Sequence, residues 1–345
     1  MATIGLTFPQ LIDANKGSME GQTVELLKLQ NPILDDAIAT ECNMQAVHRH
    51  TIRTGLPSVA WGRLYQGVPQ SKSTMQQVDD TTGFLEAASG IDTRLLKLAK
   101  DPAKARLTEA APYIEAMNQE MATGIFYHDT ATTPEKFKGL AARFNAYNTN
   151  VPDPTKPNVA NQVIHGGGSG SDNTSIWFVT WGDHATSLLY PQGTKAGIET
   201  EDKGEQRVTD ASGNPYYIKE MMWRWHIGAF VKDWRYNARI ANIDVSDMRS
   251  GLVDMWALLR KAYYRLQSRR RDAVSSRIAI YMNREVLEVL DAQSSDRALL
   301  AGNPNYTALK PANVEGQEVL TYRGIPIRET DALLNTEALV PSTAV

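Results

Sequence analysis

The segment that says most about the fold is residues 216–243, YYIKEMMWRWHIGAFVKDWRYNARIANI. Its first apolar residues share one parity: Trp223, Trp225, Ile227, Ala229 and Val231. Beyond Asp233 the parity changes, and the apolar residues are Trp234, Tyr236, Ala238 and Ile240. Side chains alternate between the two faces of a strand, so this change requires an extra residue or a turn. We therefore predict two strand segments with a bulge or tight turn at Lys232-Asp233.

Other β signals lie on both sides of this segment. Residues 46–95 predict a two-stranded ribbon in which Val59, Trp61, Arg63 and Tyr65 alternate, with a turn-rich tip at 66–73 and a return from Thr74. Both faces of this ribbon are largely polar, and an isolated two-stranded ribbon is marginal in water. Further strands are predicted at 175–181, 185–190, 277–282, 318–322 and 325–328.

Helical periods separate these strands. A long helix is predicted over 101–127, with one face formed by Ile114, Met117, Met121 and Ile125. Pro112 should kink this helix or mark its first turn. Further helices are predicted at 24–29, 134–147, 246–266 and 284–292. Helices and strands mix without regular alternation, which indicates the α+β class.

Composition excludes several classes of protein. Hydrophobic residues make up 42% of the 345 residues and charged residues 22%, which is typical of a globular chain. The net charge of -3 argues against a protein that grips nucleic acid over its whole surface. Cys42 is the only cysteine, so we expect a reducing compartment. The sequence predicts neither a membrane span nor a signal peptide, which indicates synthesis in a cytoplasm.

Catalytic motifs are not found. His165-Gly166-Gly167-Gly168 is similar to the oxyanion-hole loop of lipases, but the chain has no G-x-S-x-G nucleophile motif to serve it. A hydrolase built around His165–Ser171 therefore remains only an alternative. His48 and His50 would share a strand face, yet no third ligand has a supporting spacing. We predict no enzyme activity, no cofactor and no metal, and we interpret Arg269-Arg270-Arg271 as charge at a helix end.

Residues 1–45 and the ribbon contain too few apolar side chains to form a core by themselves. Segments of this kind are expected in proteins whose fold is completed by neighbouring copies. The candidate intersubunit contacts are ribbon residues with large or charged side chains: Arg49, Arg53, Trp61, Tyr65 and Lys72. A covalent link between subunits is not expected, because nothing in the sequence identifies a partner for Lys72, the only lysine at the tip.

The order of several short motifs resembles the major capsid proteins of short-tailed bacteriophages. In the first part of the chain the motifs are Asn31-Pro32-Ile33-Leu34-Asp35-Asp36, His48-Arg49, 51–57, Trp61, Gly67, Ser71-Lys72-Ser73, 117–120, Phe126-Tyr127 and 134–140. In the second part they are 190–198, Asp233-Trp234-Arg235-Tyr236 to Ile243-Asp244, Tyr281-Met282-Asn283-Arg284 and 322–328. His128 and Cys42 depart from the pattern, since relatives tend to have glycine there.

This resemblance implies the Hong Kong 97-type capsid fold, which has an N-terminal arm, an extended E-loop, a P domain with a long spine helix, and an A domain. The implied divisions are an N-terminal arm at 1–45, an E-loop at 46–95, the spine helix and P domain at 96–150, A-domain strands and a loop at 151–198, long P-domain strands at 199–245 and the A domain at 246–345. The long P-domain strands precede the A-domain segment at 277–292, which implies a rearranged connection order.

The implied function is that of a viral structural protein. Such a chain would assemble into pentamers and hexamers of an icosahedral shell around double-stranded DNA. The shell would contact this DNA nonspecifically. Further partners would be a scaffold, a portal and a cement or decoration protein, without any membrane. The protein would be located in the capsid of the virion after assembly in the host cytoplasm. An encapsulin-like compartment that uses the same fold without DNA is the other alternative.

Overall fold

The computed structural model describes residues 32–98, 102–150, 158–210, 212–267, 276–300, 309–314 and 317–344. The helix predicted at 24–29 and the basic run 269–271 lie outside these residues. The helices of the described part are, in chain order, α1 (Pro32–Asp36), α2 (Thr93–Leu98), α3 (Pro102–Tyr127), α4 (Leu140–Arg143), α5 (Val245–Arg249), α6 (Met255–Arg265) and α7 (Arg284–Leu300). Short 3₁₀ turns lie at Val159–Gln162 and Trp234–Tyr236.

The strands in chain order are β1 (Ala39–Glu41), β2 (Val47–Gly55), β3 (Thr74–Asp92), β4 (Tyr147–Asn148), β5 (Val163–His165), β6 (Asn173–Trp181), β7 (Thr186–Tyr190), β8 (Ile198–Thr209), β9 (Pro215–Val231), β10 (Ala238–Asp244), β11 (Arg277–Met282), β12 (Lys310–Val314), β13 (Gln317–Tyr322), β14 (Ile325–Glu329) and β15 (Ser342–Thr343). All but β4 and β15 belong to one continuous sheet. Helices and strands mix without regular βαβ alternation, as the sequence predicts for an α+β chain.

The strand order along the main path of the sheet is β12-β13-β14-β11-β6-β7-β9-β3-β2. Strand β8 pairs with the other edge of β9, while β10 joins β6 and carries β5. In chain order, the long β8–β9 hairpin is therefore inserted between β6 and β11, which are neighbours in the sheet. This agrees with the predicted position of the long strands ahead of residues 277–292.

Two hydrophobic cores lie on opposite faces of the sheet, and β6 contributes to both because its side chains alternate. Trp177, Val179 and Trp181 pack in the first core, where α3 covers the sheet. Ile176 and Phe178 pack in the second core, which α5, α6 and α7 cover. All nine residues of β6 are buried, as expected for a central strand covered on both sides.

The predicted break at Lys232-Asp233 is confirmed. Strand β9 ends at Val231, and the chain makes a 3₁₀ turn over Trp234–Tyr236, where the Asp233 carboxylate accepts from the Arg235 amide. All five apolar residues of the first parity set are buried. The expectation that Trp234 and Tyr236 continue a strand is wrong, because both lie in the turn and are only half-buried.

The long helix is also confirmed, and it begins and ends within a residue of its predicted bounds. Its apolar face is buried at Ile114, Met117, Met121 and Ile125. Pro112 lies inside the helix at an exposed position. The Tyr113 ring stacks on Trp223 of β9 at 5.3 Å, so this face of the helix covers the alternating tryptophans.

Two helix predictions need correction. Only Leu140–Arg143 is helical within the predicted 134–147, because Gly139 must pass against the end of α3: a Cβ there would lie 2.7 Å from the Gly124 carbonyl oxygen. The 246–266 helix is interrupted between α5 and α6, at Gly251 with φ of +76°. Leu252 lies in this break and is exposed.

The C-terminal hairpin follows its sequence signal. Strands β13 and β14 are joined at Arg323 and Gly324, with φ of 52° and 82°, which suits a tight two-residue turn. Strand β12, which extends this hairpin, carries no alternating pattern and is absent from the sequence-based expectations. The two extended hairpins, β2–β3 and β8–β9, thus lie toward one end of the sheet, and the β13–β14 hairpin lies toward the other end.

Candidate assembly surfaces

The tip of the ribbon, residues 56–73, is the most exposed apolar surface of the described chain. Trp61 is 99% exposed, and the other large apolar side chains of the tip are also exposed: Leu56, Val59, Leu64, Tyr65 and Val68. The predicted strand alternation over 59–65 is wrong, since this segment has no strand partner. Soluble monomers rarely expose contiguous apolar patches of this kind, so the tip has the character of a contact surface.

The stalk of the ribbon is made of β2 and the first half of β3. Arg49 donates two hydrogen bonds to Asp79 across the strand pair, at 2.6 and 2.7 Å. These bonds hold the pKa of the Asp79 carboxyl below its usual range and raise that of Arg49. Arg49, Arg53 and Lys72 are all exposed, and Arg49 is already paired within its own chain.

The five predicted contact residues therefore fall into two groups. Arg49 and Arg53 lie on the stalk, while Trp61, Tyr65 and Lys72 lie in the tip. The structure brings them into one projecting hairpin but not into a single patch. Ser71 closes the base of the tip by donating to the Ser58 carbonyl at 2.8 Å, across the loop.

Strand β3 changes partners halfway along its length. Residues 74–81 pair with β2, and residues 82–92 pair with β9. At the change of partner, a Cβ on Gly228 would lie 2.9 Å from the Thr81 carbonyl oxygen, so glycine is needed for this close approach. The second half of the ribbon is part of the main sheet, which the exposed tip is not.

A second exposed surface is the β8–β9 hairpin, whose distal half is polar and half-buried at most. Asp210 closes its turn by accepting from the amides of Ser212 and Asn214, and these bonds lower the pKa of its carboxyl. On its outer face Arg224 pairs with Glu86 of β3 and Glu201 of β8, at 2.9 and 3.3 Å. Strand β8 has no apolar alternation, so only the resemblance pointed to it.

The described end of the N-terminal arm is anchored rather than exposed. Ile33 is fully buried in the first core. The buried Asp36 carboxylate accepts from the Tyr281 hydroxyl at 2.9 Å and from the Arg328 guanidinium at 3.0 and 3.2 Å. Burial, and next the Asp36 charge, raise the pKa of Tyr281 well above its ordinary value. The first described residues are therefore fixed to the body at α1.

Comparison with known families decides the identity. The family model for major capsid protein GP7 matches residues 14–341. The chain belongs to the major capsid protein GP7 family. This family consists of structural capsid proteins of tailed bacteriophages, not of enzymes. The protein is therefore a capsid component of the virion, and its copies self-assemble into a shell.

Solved capsid structures agree with this family. The structure of bacteriophage Epsilon15 aligns over 99% of both chains with 30% identity and a TM-score of 0.69. The capsid protein therefore has the Hong Kong 97-type fold that the sequence resemblance implied. A search of curated proteins finds no match.

Two more distant structures also align with the capsid protein. The bacteriophage JBD30 capsid covers 95% of this chain and 99% of its own, with 9% identity and a TM-score of 0.47. The holo-SrpI encapsulin complex from Synechococcus elongatus PCC 7942 covers 70% of this chain and 96% of its own, with 10% identity and a TM-score of 0.40. At these scores neither alignment supports an argument about function.

The glycine loop of the capsid protein, residues 166–168, packs against β10, and this packing argues against the hydrolase alternative. The amides of Gly166 and Gly168 donate to the carbonyls of Ala241 and Asn242 at 2.8 Å, so they are not directed at a substrate. A Cβ on Gly168 would lie 2.7 Å from the Asn173 side chain. His165 stacks on Tyr147 at 4.6 Å, and burial lowers the pKa of its imidazole.

A buried ionic cluster in the capsid protein was not visible in the sequence. Arg239 of β10 pairs with Glu337 near the C-terminus at 2.8 Å and donates to the Phe144 carbonyl at 2.9 Å. The same carboxylate accepts from the hydroxyls of Tyr127 and Ser175. Burial, and next the Glu337 charge, raise the pKa of Tyr127. Residues this far apart in sequence offer no spacing signal that could have identified the cluster.

Two further features concern metals and membranes. Among the described residues, no group of three or more His, Cys, Asp or Glu side chains is arranged to hold a metal ion. Within the same residues, no helix is both long enough and apolar enough to cross a membrane.

Proposed function

We propose that this capsid protein assembles into pentamers and hexamers that tile an icosahedral shell around double-stranded DNA. The observation that supports this most directly is the fully exposed apolar tip of the ribbon, 56–73, because in a shell a neighbouring subunit would cover it. The near-neutral net charge of -3 suits a wall that confines DNA without binding it tightly.

The proposed division of the chain follows the Hong Kong 97-type fold. The arm is 1–45, the E-loop 46–95, the spine helix and P domain 96–150, and the long P-domain strands 199–245. Residues 151–198 and 246–345 form the A domain. Support comes from the long helix α3 beside the β3–β9–β8 strands and from the separate core under α5, α6 and α7. In this scheme the connection order is rearranged.

The proposed contacts between subunits use the ribbon. Trp61 and Tyr65 supply apolar area that would be buried against a neighbour, while Lys72 in the tip and Arg53 on the stalk supply exposed positive charge. Arg49 stiffens the stalk by pairing with Asp79, and it would support the contact by holding the ribbon in place. Aromatic and arginine side chains are the usual anchors of protein interfaces.

The remaining partners would come from the life cycle of a tailed phage. A scaffold, a portal and a cement or decoration protein would contact the shell, and assembly would take place in the host cytoplasm. Packaged DNA would touch the inner wall by nonspecific contact. Membership of the capsid family and the likeness to a phage structure support the proposal of these partners.

Electron microscopy of the purified full-length protein tests the proposal. We expect closed shells, or rings of five and six subunits, and shells from infected cells should contain double-stranded DNA. Small discrete particles at high protein concentration, without rings or shells, would contradict the proposal. Closed shells that contain no nucleic acid in any preparation from infected cells would favour the encapsulin-like alternative.

A further inference from the structure

A polar cluster lies where the ribbon joins the body, and we call it the root cluster: the buried His50 and Asp80 with the half-buried His48 and Arg143. His48 and His50 are two residues apart on β2, so both rings point to the same face of the strand. Asp80 pairs with His48 across the ribbon, two residues before Thr82, where β3 changes its partner from β2 to β9. The cluster therefore lies at the junction between the exposed ribbon and the main sheet.

Arg143 connects this junction to two other elements. Its guanidinium lies 2.8 Å from the Asp80 carboxylate, with side-chain exposures of 13% and 3%. The Nη2 atom that makes this contact also donates to the Ala229 carbonyl near the end of β9 and to the Lys138 carbonyl before α4. The second carboxylate oxygen of Asp80 and the Nε of Arg143 have no hydrogen-bond partner among the described residues. The junction thus has one unused acceptor on Asp80 and one unused donor on Arg143.

The two histidines are held without hydrogen bonds from neighbouring side chains. His50 is 8% exposed, and neither of its ring nitrogens has a hydrogen-bond partner in the described part of the chain. Its Nδ1 lies 4.0 Å from the unpaired oxygen of Asp80. The rings of His48 and His50 pack against Phe230 at 4.6 and 6.0 Å. Neutral imidazoles fit this apolar surface, whereas imidazolium ions would lose their hydration there.

The charges around the rings come from each element packed on the junction. Arg143 on α4 and Lys232 after β9 are positive, Asp80 on β3 is negative, and Glu41 contributes its backbone to His48. Burial lowers the pKa of both imidazoles, and the Asp80 charge opposes that effect without cancelling it. The closed junction therefore favours neutral rings, even with a carboxylate 4.0 Å away.

We propose that the root cluster is a proton-sensitive joint that holds the ribbon against the body while both histidines are neutral and releases it when they are protonated. Protonation places one or two new charges on the apolar surface of Phe230, beside two existing cations. The least costly response is for β2 to move off Phe230 so that the imidazolium rings reach water. The Asp80–Arg143 pair would still link β3 to α4 at this corner.

The direction of the pH effect follows from linkage. A histidine whose pKa is lower in the closed joint than in the open one favours closure at high pH. Closure is complete above the ordinary histidine pKa of 6.5, weakens as the pH falls below that value, and stops changing below the lowered pKa. Each unit of lowering weakens closure about tenfold. Acidification should therefore free the ribbon root without unfolding the sheet.

Hydrogen exchange on unassembled full-length subunits tests the joint. Protection factors, corrected for the intrinsic exchange rate at each pH, are compared at about pH 7.5 and about pH 5.5 for peptides covering 46–50 and 80–84. We expect a loss of protection of about tenfold in these peptides at the lower pH. Peptides covering β6 should be equally protected at both values, because that strand is buried in both cores.

Matched variants separate the joint from general acid effects. The double variant H48Q/H50Q cannot be protonated at the root and should keep the same protection at both pH values. The variant H165Q removes a half-buried histidine on β5, outside the elements that form the root, and should lose root protection as the natural protein does. Equal β6 protection at about pH 7.5 verifies that each variant is folded, and H50Q alone is the substitute if the double variant fails this check.

Two outcomes would overturn the inference. One is unchanged root protection in the natural protein between the two pH values. The other is an equal loss in H48Q/H50Q and in the natural protein. The inference goes beyond the proposed function, because it concerns the isolated subunit. Absence of shells in electron micrographs would remove the proposed function and leave this measurement unaffected.

Discussion

Asn242 shows how a single residue can join three segments of the chain. It is 1% exposed and has a φ of 56°, in the left-handed region that few residues other than glycine adopt. Its side chain donates to the Val340 carbonyl at 2.9 Å and accepts from the Val340 amide at 2.8 Å. Its own carbonyl accepts from Gly168. The β10 irregularity, the glycine loop and the C-terminal segment therefore meet at one residue.

Replacing Asn242 tests how much of this depends on the side chain. Asn242→Ala removes both bonds to Val340 and also places an alanine in the left-handed region, so we expect a loss of about 3 kcal/mol of unfolding free energy. Asn242→Gly removes the same bonds without backbone strain and should cost about 1 kcal/mol less. Chemical denaturation measures both. Equal losses in the two variants would show that the backbone conformation contributes nothing.

Asp36 gives a second prediction at this scale. Asp36→Ala leaves the Arg328 guanidinium and the Tyr281 hydroxyl without their shared acceptor in a buried site. Breaking such a pair should cost about 3 kcal/mol and release the described end of the arm. Thermal unfolding is the measurement, with the exposed Asp183→Ala as a control that should leave the melting temperature unchanged. A melting temperature equal to that of the natural protein would contradict the anchoring role.

At the scale of elements, the ribbon behaves as two parts. The sequence predicts that all of 46–95 is ordered mainly by other subunits, since its side chains are largely polar. The structure restricts this expectation, because residues 82–92 pair with β9 and contact the first core through Leu85 and Ala87. In unassembled subunits we expect fast amide exchange over 56–73 and slow exchange over 82–92. In shells, the tip amides should also exchange slowly, and equally strong protection of the tip in both states would contradict this.

The exposed indole of Trp61 provides the test of ribbon contacts. Trp61→Ala should leave the unfolding free energy of the subunit unchanged, because the ring buries no area within its own chain. If a neighbour covers the ring, the variant should weaken assembly by about 1–3 kcal/mol per contact. The protein concentration at which shells form measures this. Trp61→Phe keeps an apolar ring and should lie between the two, and unchanged assembly of the alanine variant would exclude the ring from the contact.

At the scale of the whole molecule, we expect a shell held together by noncovalent contacts alone. A lysine–asparagine cross-link needs a neutral lysine amine, a partner asparagine amide and a catalytic carboxylate, all in a water-free pocket. Lys72 is exposed at the tip and is not enclosed in such a pocket. Denaturing electrophoresis of intact particles should therefore show one band near 38.2 kDa. A ladder of multiples that disappears in Lys72→Ala would show the opposite.

The features that could be predicted from the sequence are those set by neighbouring residues. Alternation of the tryptophans determined the buried face of β9, and the parity change required the break at Lys232-Asp233. The three- and four-residue spacing from Ile114 to Ile125 determined the long helix. Arg323-Gly324 marked the hairpin turn that the structure shows. For the candidate contacts, the sequence placed Trp61 and Tyr65 on a projecting ribbon because that region has too few apolar residues to form its own core.

Only the tertiary structure decided which residues far apart in the sequence become partners. Pairing of Asp36 with Arg328, or of Arg239 with Glu337, depends on which strands become neighbours, and no local pattern carries that information. The same holds for β3, whose change of partner needs Gly228 to pass close to Thr81. The helix predicted at 134–147 failed at Gly139, where the close passage against α3 leaves no room for a Cβ and glycine itself disfavours a helix. Local periodicity determines which face of an element is apolar, and packing determines what covers it.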